Sequence, residues 1–150
     1  MKAQNEVLFL SLRPQFAEMI ISGSKTVELR RIRPRALPGT LVLIYASSPT
    51  MKLIGTCVVK EIVTGTPREI WKLHGGATGL KLRGIADYLQ GTERGVAISV
   101  GSPIRFDQPL PLEKIRSIIG ESAPPQSFRY ISSQESAKLL RAGKTAISML

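Results

Sequence analysis

The sequence predicts an α+β fold in which a small, mixed, curved sheet or barrel is flanked by short helices. Short apolar runs of strand length are separated by helix-start and helix-stop signals. These runs do not alternate regularly with helices, so a doubly wound parallel sheet is a poor fit. The chain has 150 residues, of which 43% are hydrophobic, enough to bury one core. We expect one domain over residues 1–150, with a core at about 6–131 and a C-terminal helix and tail at 132–150.

The first strand is expected at the apolar run Val7–Leu12. A helix follows from Pro14 and ends at Gly23, because proline suits a first helical turn and glycine suits a left-handed cap. The second strand covers about Thr26–Arg31. After a loop rich in proline, the apolar run Leu41–Ala46 predicts the third strand.

A longer strand is predicted at Leu53–Val63, where Gly55 marks a bulge or a close approach between backbones. Thr66 can cap the next helix, whose apolar side would comprise Ile70, Trp71 and Leu73. We expect Trp71 in the core rather than as a stacking platform. A second short helix is expected at Leu80–Leu89.

Two further strands are predicted, Gly95–Val100 and an edge strand at Ile104–Leu110, which prolines limit because proline cannot donate to a sheet ladder. The segment Leu112–Ile119 predicts a brief helix. The capping box Ser132-Ser133-Gln134-Glu135 predicts a final helix that runs to about Arg141.

The formal net charge of +10 and the pI near 10.3 favour a polyanionic partner, with nucleic acid the first candidate and a membrane surface the second. No apolar run approaches the roughly 20 residues needed to span a bilayer, and Arg13-Pro14 interrupts any signal-peptide core. We therefore expect a cytoplasmic protein with no membrane association. One cysteine, Cys57, and one histidine, His74, make a disulfide or zinc site within one chain a poor expectation. No metal or cofactor is predicted.

The stretch from Gly23 to Arg35 concentrates a lysine, a glutamate and four arginines. A glutamate among basic residues can hold a guanidinium in a fixed fork, which suits recognition of a phosphate or a base edge. Because strand side chains alternate, one face would carry Thr26, Glu28 and Arg30. The other face would carry Lys25, Val27 and Leu29.

The motif Gly23-x-Lys25-x-x-Glu28-x-Arg30, together with the strands that follow it, resembles the ASCH family of the PUA-like superfold. Further similarity lies in Tyr45-Ala46-Ser47-Ser48-Pro49, in Tyr88-Leu89-x-Gly91 and in the segment Pro124–Tyr130. The resemblance implies a PUA-like small mixed β-barrel of five to six strands, a cleft beside the first helix, and binding of RNA or another nucleic acid.

The resemblance also implies two possible activities. Some relatives resemble amidohydrolases that deacylate modified cytidine with a lysine, a threonine and a glutamate; Lys25 matches the lysine, but Glu28 stands in the place of the threonine, and Asp87 is the nearest acid. Other relatives resemble metal-independent ribonucleases that employ a lysine, a tyrosine and a serine. Lys25 is therefore a candidate catalytic residue, and the alternative is a solvated lysine that contacts phosphate.

The leading hypothesis is an RNA-binding module that recognises RNA, or a modified or unstacked base, in a basic cleft. The alternatives are a metal-independent hydrolase that acts on RNA or modified nucleosides through Lys25, and a transcription-related domain that binds a protein partner. Pro124–Tyr130 is equally consistent with a site for an unpaired base and with a strap that plugs the barrel. The residues predicted to contact nucleic acid are Lys25, Glu28, Arg30, Arg31, Arg33, Arg35, Tyr45, Ser47, Ser48, Gln126, Ser127 and Arg129.

Overall fold

The computed structural model describes residues 6–120, 124 and 127–143. Its strands are β1 (Glu6–Leu12), β2 (Val27–Arg30), β3 (Leu41–Ala46), β4 (Lys52–Gly65), β5 (Gly95–Pro111) and β6 (Phe128–Ser132). Its α-helices are α1 (Pro14–Ser22), α2 (Pro67–His74), α3 (Leu82–Tyr88), α4 (Leu112–Ile119) and α5 (Ser133–Gly143). The predicted α+β class is confirmed.

The six strands form one mixed sheet in the order β2-β5-β4-β3-β1-β6, in which β1 and β3 are parallel and the other pairs antiparallel. The expected barrel is not closed, because the outermost strands β2 and β6 do not pair with each other. The sheet nevertheless curls, since the Arg30 side chain at the end of β2 reaches Ser127 beside β6. The two edges therefore face each other across a gap.

Both faces of the sheet are covered, because alternate residues of the same strand enter different cores. On the first face, which we call the cleft face, Leu8 and Leu10 of β1 pack with Ile20 of α1. On the opposite face, Phe9 packs with Leu139 of α5. A third cluster, around Val27, Leu29, Ile70, Ile85, Leu89 and Ala97, joins β2 and β5 to α2 and α3.

Two glycines carry out the roles expected of them. Gly23 ends α1 with a φ of 88°, a left-handed conformation that disfavours other residues. Gly55 lies at a register shift between β4 and β5, where an added Cβ would stand 2.3 Å from the carbonyl oxygen of Ile104. The predicted close approach at Gly55 is confirmed.

The structure corrects several expected elements. Residues 95–111 form one strand rather than two, and the part beyond Val100 pairs with β4 only, which explains how it tolerates prolines. Leu73 is 70% exposed instead of belonging to the apolar side of α2, whereas Trp71 is half-buried against the third cluster. The last part of the predicted strap, from Phe128 onward, belongs to strand β6, and Phe128 and Tyr130 pack against the core on the cleft face. Residues 125 and 126 of that segment lie outside the described residues.

The helix N-caps predicted at Thr66 and Ser132 are confirmed. Thr66 and Glu69 form a reciprocal capping box at α2, and Ser132 and Glu135 form another at α5. Within the described part of the chain, no helix combines the length and apolar character needed to cross a bilayer.

Candidate functional site

A cleft of about 600 Å³ opens where the sheet fails to close. It lies between the end of β1, the start of α1, strand β2 and helix α3. Its lining residues are Ser11, Leu12, Arg13, Phe16, Lys25, Glu28, Leu29, Arg30, Ser47, Leu80, Gly84, Asp87 and Tyr88. This volume falls in the range of pockets that hold small ligands.

Strand β2 places Glu28 and Arg30 on the cleft face. Glu28 is paired in register with Ile98 and Arg30 with Val96, and both partners belong to the core of that face. The predicted shared face of Glu28 and Arg30 is confirmed. Both residues are buried, with 8% and 6% of their surface exposed, so charged groups form the floor of the cleft.

Lys25 also joins this floor, against the expectation that it would point to the opposite face. The alternation does not apply to Lys25, because β2 begins only at Val27. The Lys25 ammonium lies 3.2 Å from Oε1 of Glu28 and donates hydrogen bonds to the carbonyls of Val27, at 2.8 Å, and Thr78.

Burial lowers the pKa of Lys25 from its ordinary value of 10.5; the Glu28 carboxylate opposes the shift and Arg30 adds to it. Lys25 is only 3% exposed, so the alternative hypothesis that it is a solvated lysine is wrong. An ammonium has three donors, and those of Lys25 all have acceptors within the protein.

Arg30 bridges the gap between the sheet edges. Its Nη2 lies 2.8 Å from Oε2 of Glu28 and donates to the carbonyl of Ser11 at 3.0 Å. Its Nη1 donates to the hydroxyl and the carbonyl of Ser127, at 3.1 and 3.3 Å. The guanidinium thus supplies hydrogen bonds where a pairing strand is missing. Its Nε is buried and has no hydrogen-bond partner among the described residues.

The walls of the cleft contain groups that our sequence prediction did not include among the site residues. Phe16 stands on α1, with its ring centre 5.3 Å from Nζ of Lys25, and Tyr88 ends α3 with 42% of its surface exposed. Burial raises the pKa of Tyr88, and the charge of Arg30 opposes this shift. Arg13 and Asp87 are exposed at the mouth. Two signals in the sequence could have indicated these residues: the position of Arg13 at a strand-to-helix junction, and the motif Tyr88-Leu89-x-Gly91 that the chain shares with the family.

The arginines that follow β2 have separate surroundings outside the cleft. Arg31 donates to the carbonyls of Tyr88 and Gln90, at 3.0 and 2.8 Å, and so ties the end of α3 to β2. The Arg35 guanidinium lies 4.2 Å from the ring centre of Tyr130 and 3.3 Å from Glu6. Arg33 is exposed and has no protein partner in the described part of the chain.

The remaining predicted contact residues do not meet at the cleft, apart from Ser47 and, at its edge, Ser127. Tyr45 is 2% exposed and packs near Phe9 on the opposite face, where burial raises its pKa. Ser48 is exposed and does not line the cleft. Arg129 lies opposite Phe9 in the pairing of β6 with β1, which places it on the same opposite face. Gln126 lies outside the described residues.

The structure contains little that points to metal binding. The described residues include no group of three or more histidine, cysteine, aspartate or glutamate side chains arranged to hold an ion. Cys57 is buried in the core of the cleft face, and burial raises the pKa of its thiol to about 12, as expected for an inert packing residue.

Residues 10–105, which contain the cleft strand and most of its walls, match the ASCH domain. A curated protein from Zymomonas mobilis subsp. mobilis, named ASCH domain-containing ribonuclease, is 35% identical over 133 residues. That alignment covers 87% of this chain and 88% of the relative. The chain belongs to the ASCH domain family.

Crystal structures of an ASCH protein from Zymomonas mobilis are similar throughout. The ASCH protein itself superposes with a TM-score of 0.83 at 33% identity, covering 93% of this chain and 95% of that one. A serine-to-alanine variant superposes with a TM-score of 0.87 at 30% identity, covering 96% and 99%. The open mixed sheet is therefore the PUA-like arrangement of an ASCH domain, confirming the resemblance seen in the sequence.

Proposed function

We propose that this ASCH protein binds single-stranded RNA and places one unstacked nucleotide in the cleft. The observation that carries the proposal is the cleft itself, of nucleotide size and walled by Phe16 and Tyr88, in a chain with a formal charge of +10. Aromatic side chains stack on unpaired bases, and cations around them hold the phosphates. The relative named ribonuclease supports RNA as the nucleic acid.

The charged residues at the floor of the cleft and those near its mouth have different roles. Lys25 and Arg30 are bound to Glu28 and to backbone carbonyls, so they shape the floor instead of contacting phosphate. Arg13 at the mouth and Arg33 on the following loop are exposed. We assign phosphate contacts to these exposed arginines.

Binding is tested by fluorescence anisotropy with a short labelled single-stranded RNA at several salt concentrations. Affinity should fall steeply as salt rises, because phosphate contacts release counterions. Tyr88→Leu should weaken binding about tenfold through lost stacking. The matched control is Lys138→Gln, on α5 at the opposite face, which should bind as wild type. Binding that is absent or insensitive to salt would overturn the proposal.

A second candidate function is RNA cleavage, and the name of the 35% identical relative favours it. Solved variants of the Zymomonas protein replace a serine by alanine and a tyrosine by phenylalanine. The cleft of the present chain likewise offers Ser11, Ser47 and Tyr88.

Cleavage is tested by incubating end-labelled RNA with purified protein in the presence of a chelator. Fragments that appear with wild type, and that diminish with Tyr88→Phe, would support this second function. Equal product from Lys25→Ala and wild type would remove Lys25 from the mechanism. Intact RNA would leave binding as the function.

A further inference from the structure

Most side-chain donors at the floor of the cleft already have acceptors, although two of its three charged residues are cations. Of the Lys25 and Arg30 donors, only the buried Nε–H of Arg30 lacks an acceptor among the described residues. The three donors of Lys25 go to Val27, Thr78 and Glu28. The four terminal N–H groups of Arg30 go to Glu28, to Ser11 and to the two oxygens of Ser127. A phosphate at the floor would have to break these bonds, and it would lie against Glu28.

Glu28 keeps acceptor capacity that the described residues do not use. A carboxylate accepts about four hydrogen bonds. The described structure shows one partner on each Glu28 oxygen, Lys25 at 3.2 Å and Arg30 at 2.8 Å. Those two partners hold the carboxylate in one orientation, and its side chain remains about 10% exposed along the cleft. A second carboxylate, Asp87, stands exposed at the mouth without a protein partner in the described part of the chain.

A carboxylate that is held in one orientation, as Glu28 is, selects ligands that present hydrogen-bond donors. Among the RNA bases, guanine presents two adjacent donors, the ring N1–H and the exocyclic amino group, on one edge. Adenine and cytosine present one amino group beside an acceptor nitrogen. Uracil presents one N–H between two carbonyl oxygens, which a carboxylate repels.

We propose that the cleft selects an RNA base with donor groups on its pairing edge, guanine first and uracil last, through acceptance of those donors by Glu28. This inference rests on the proposed binding function and specifies the base that it prefers. Phe16 and Tyr88 would stack on the base irrespective of its identity, whereas Glu28 supplies the discrimination.

The test uses the wild-type protein and a labelled oligouridine that carries one guest nucleotide at its centre. Guanosine should bind tightest, and inosine, which lacks only the amino group, should bind about tenfold more weakly. Adenosine and cytidine should lie between guanosine and uridine. Equal affinity for all guests, with the expected salt dependence, would overturn base selection and leave RNA binding intact. No binding to any guest would overturn both.

A protein variant then assigns the selection to Glu28. Glu28→Gln should abolish the difference between guanosine and inosine, because an amide offers a donor as well as an acceptor. Glu18→Gln is the matched control, since Glu18 is an exposed glutamate that pairs with Arg105 and does not line the cleft. It should retain the difference. If Glu28→Gln does not fold, as judged by circular dichroism, the guest series in wild type still decides the base preference.

Discussion

Two neighbouring groups of charges, the floor residues Lys25, Glu28 and Arg30 and the loop arginines Arg31, Arg33 and Arg35, have opposite surroundings. Every floor residue is less than a tenth exposed and is bound to another floor residue. The loop arginines are exposed and form separate contacts or none.

The difference follows from where strand β2 ends. Alternation turns Glu28 and Arg30 toward the core, whereas Arg31 lies one residue past the strand and reaches the end of α3 instead. Burial makes charges interdependent, because an unpaired buried charge is costly, and exposure makes them independent. The two groups should therefore respond differently to substitution.

The largest effect should come from Glu28→Ala, which leaves Lys25 and Arg30 buried without their shared counter-ion. We expect a loss of about 3–5 kcal/mol in the free energy of unfolding, measured by urea denaturation. Glu18→Ala removes an exposed pair with Arg105 and should cost less than about 1 kcal/mol. Equal losses in the two variants would contradict the distinction between buried and exposed pairs.

The Lys25→Met variant should change how stability depends on pH. Because burial lowers the Lys25 pKa in the folded protein, the unfolded chain binds more protons between that lowered pKa and 10.5. In this alkaline window the free energy of unfolding of the wild type should therefore include a contribution that increases with pH, and Lys25→Met should lack that contribution. Denaturation of both proteins across alkaline pH measures the difference. Lys138→Met, an exposed control, should keep the wild-type slope.

A smaller effect is expected from Arg31→Ala, which removes two hydrogen bonds to the carbonyls of Tyr88 and Gln90. The free energy of unfolding should fall by about 1 kcal/mol. Hydrogen exchange at the end of α3 should accelerate, because this side chain holds that end against β2. Unchanged exchange there would show that Arg31 does not anchor the helix.

The smallest effect on stability is expected from Arg33→Ala, within about 0.5 kcal/mol, because Arg33 has no protein partner in the described residues. If Arg33 contacts phosphate, the salt slope of RNA binding should decrease by about 0.7 in this variant. Anisotropy titrations at several salt concentrations measure that slope. A slope identical to that of wild type would remove Arg33 from the phosphate contacts.

Local signals in the sequence predicted most of the elements. The Thr66 cap, the capping box at Ser132 and Glu135 and the Gly23 cap depend on residues near in sequence, and each was predicted correctly. The glycine at position 55 also indicated the close approach, although its partner Ile104 is distant in the chain. The division of residues 95–111 into two strands was wrong. The prolines beyond Val100 suggested that the strand is interrupted there. In this part of β5, however, only β4 pairs with the strand, because the pairing with β2 ends before it. The backbone on the unpaired side needs no N–H donors and therefore tolerates proline.

The sequence by itself determined that Glu28 and Arg30 share a face, since strand alternation is a local property of the backbone. It also determined the basic character and the family motif of the chain. Only the tertiary structure decided that Lys25 turns toward Glu28, that Tyr45 lies on the opposite face, and that Tyr88 walls the cleft. These placements depend on how the curled sheet brings β2 near the end of β1 and on where α3 packs. Although Lys25 and Glu28 are only three residues apart, the Thr78 carbonyl that also binds Lys25 is 53 residues away. Contacts between residues so distant in the chain leave no local pattern.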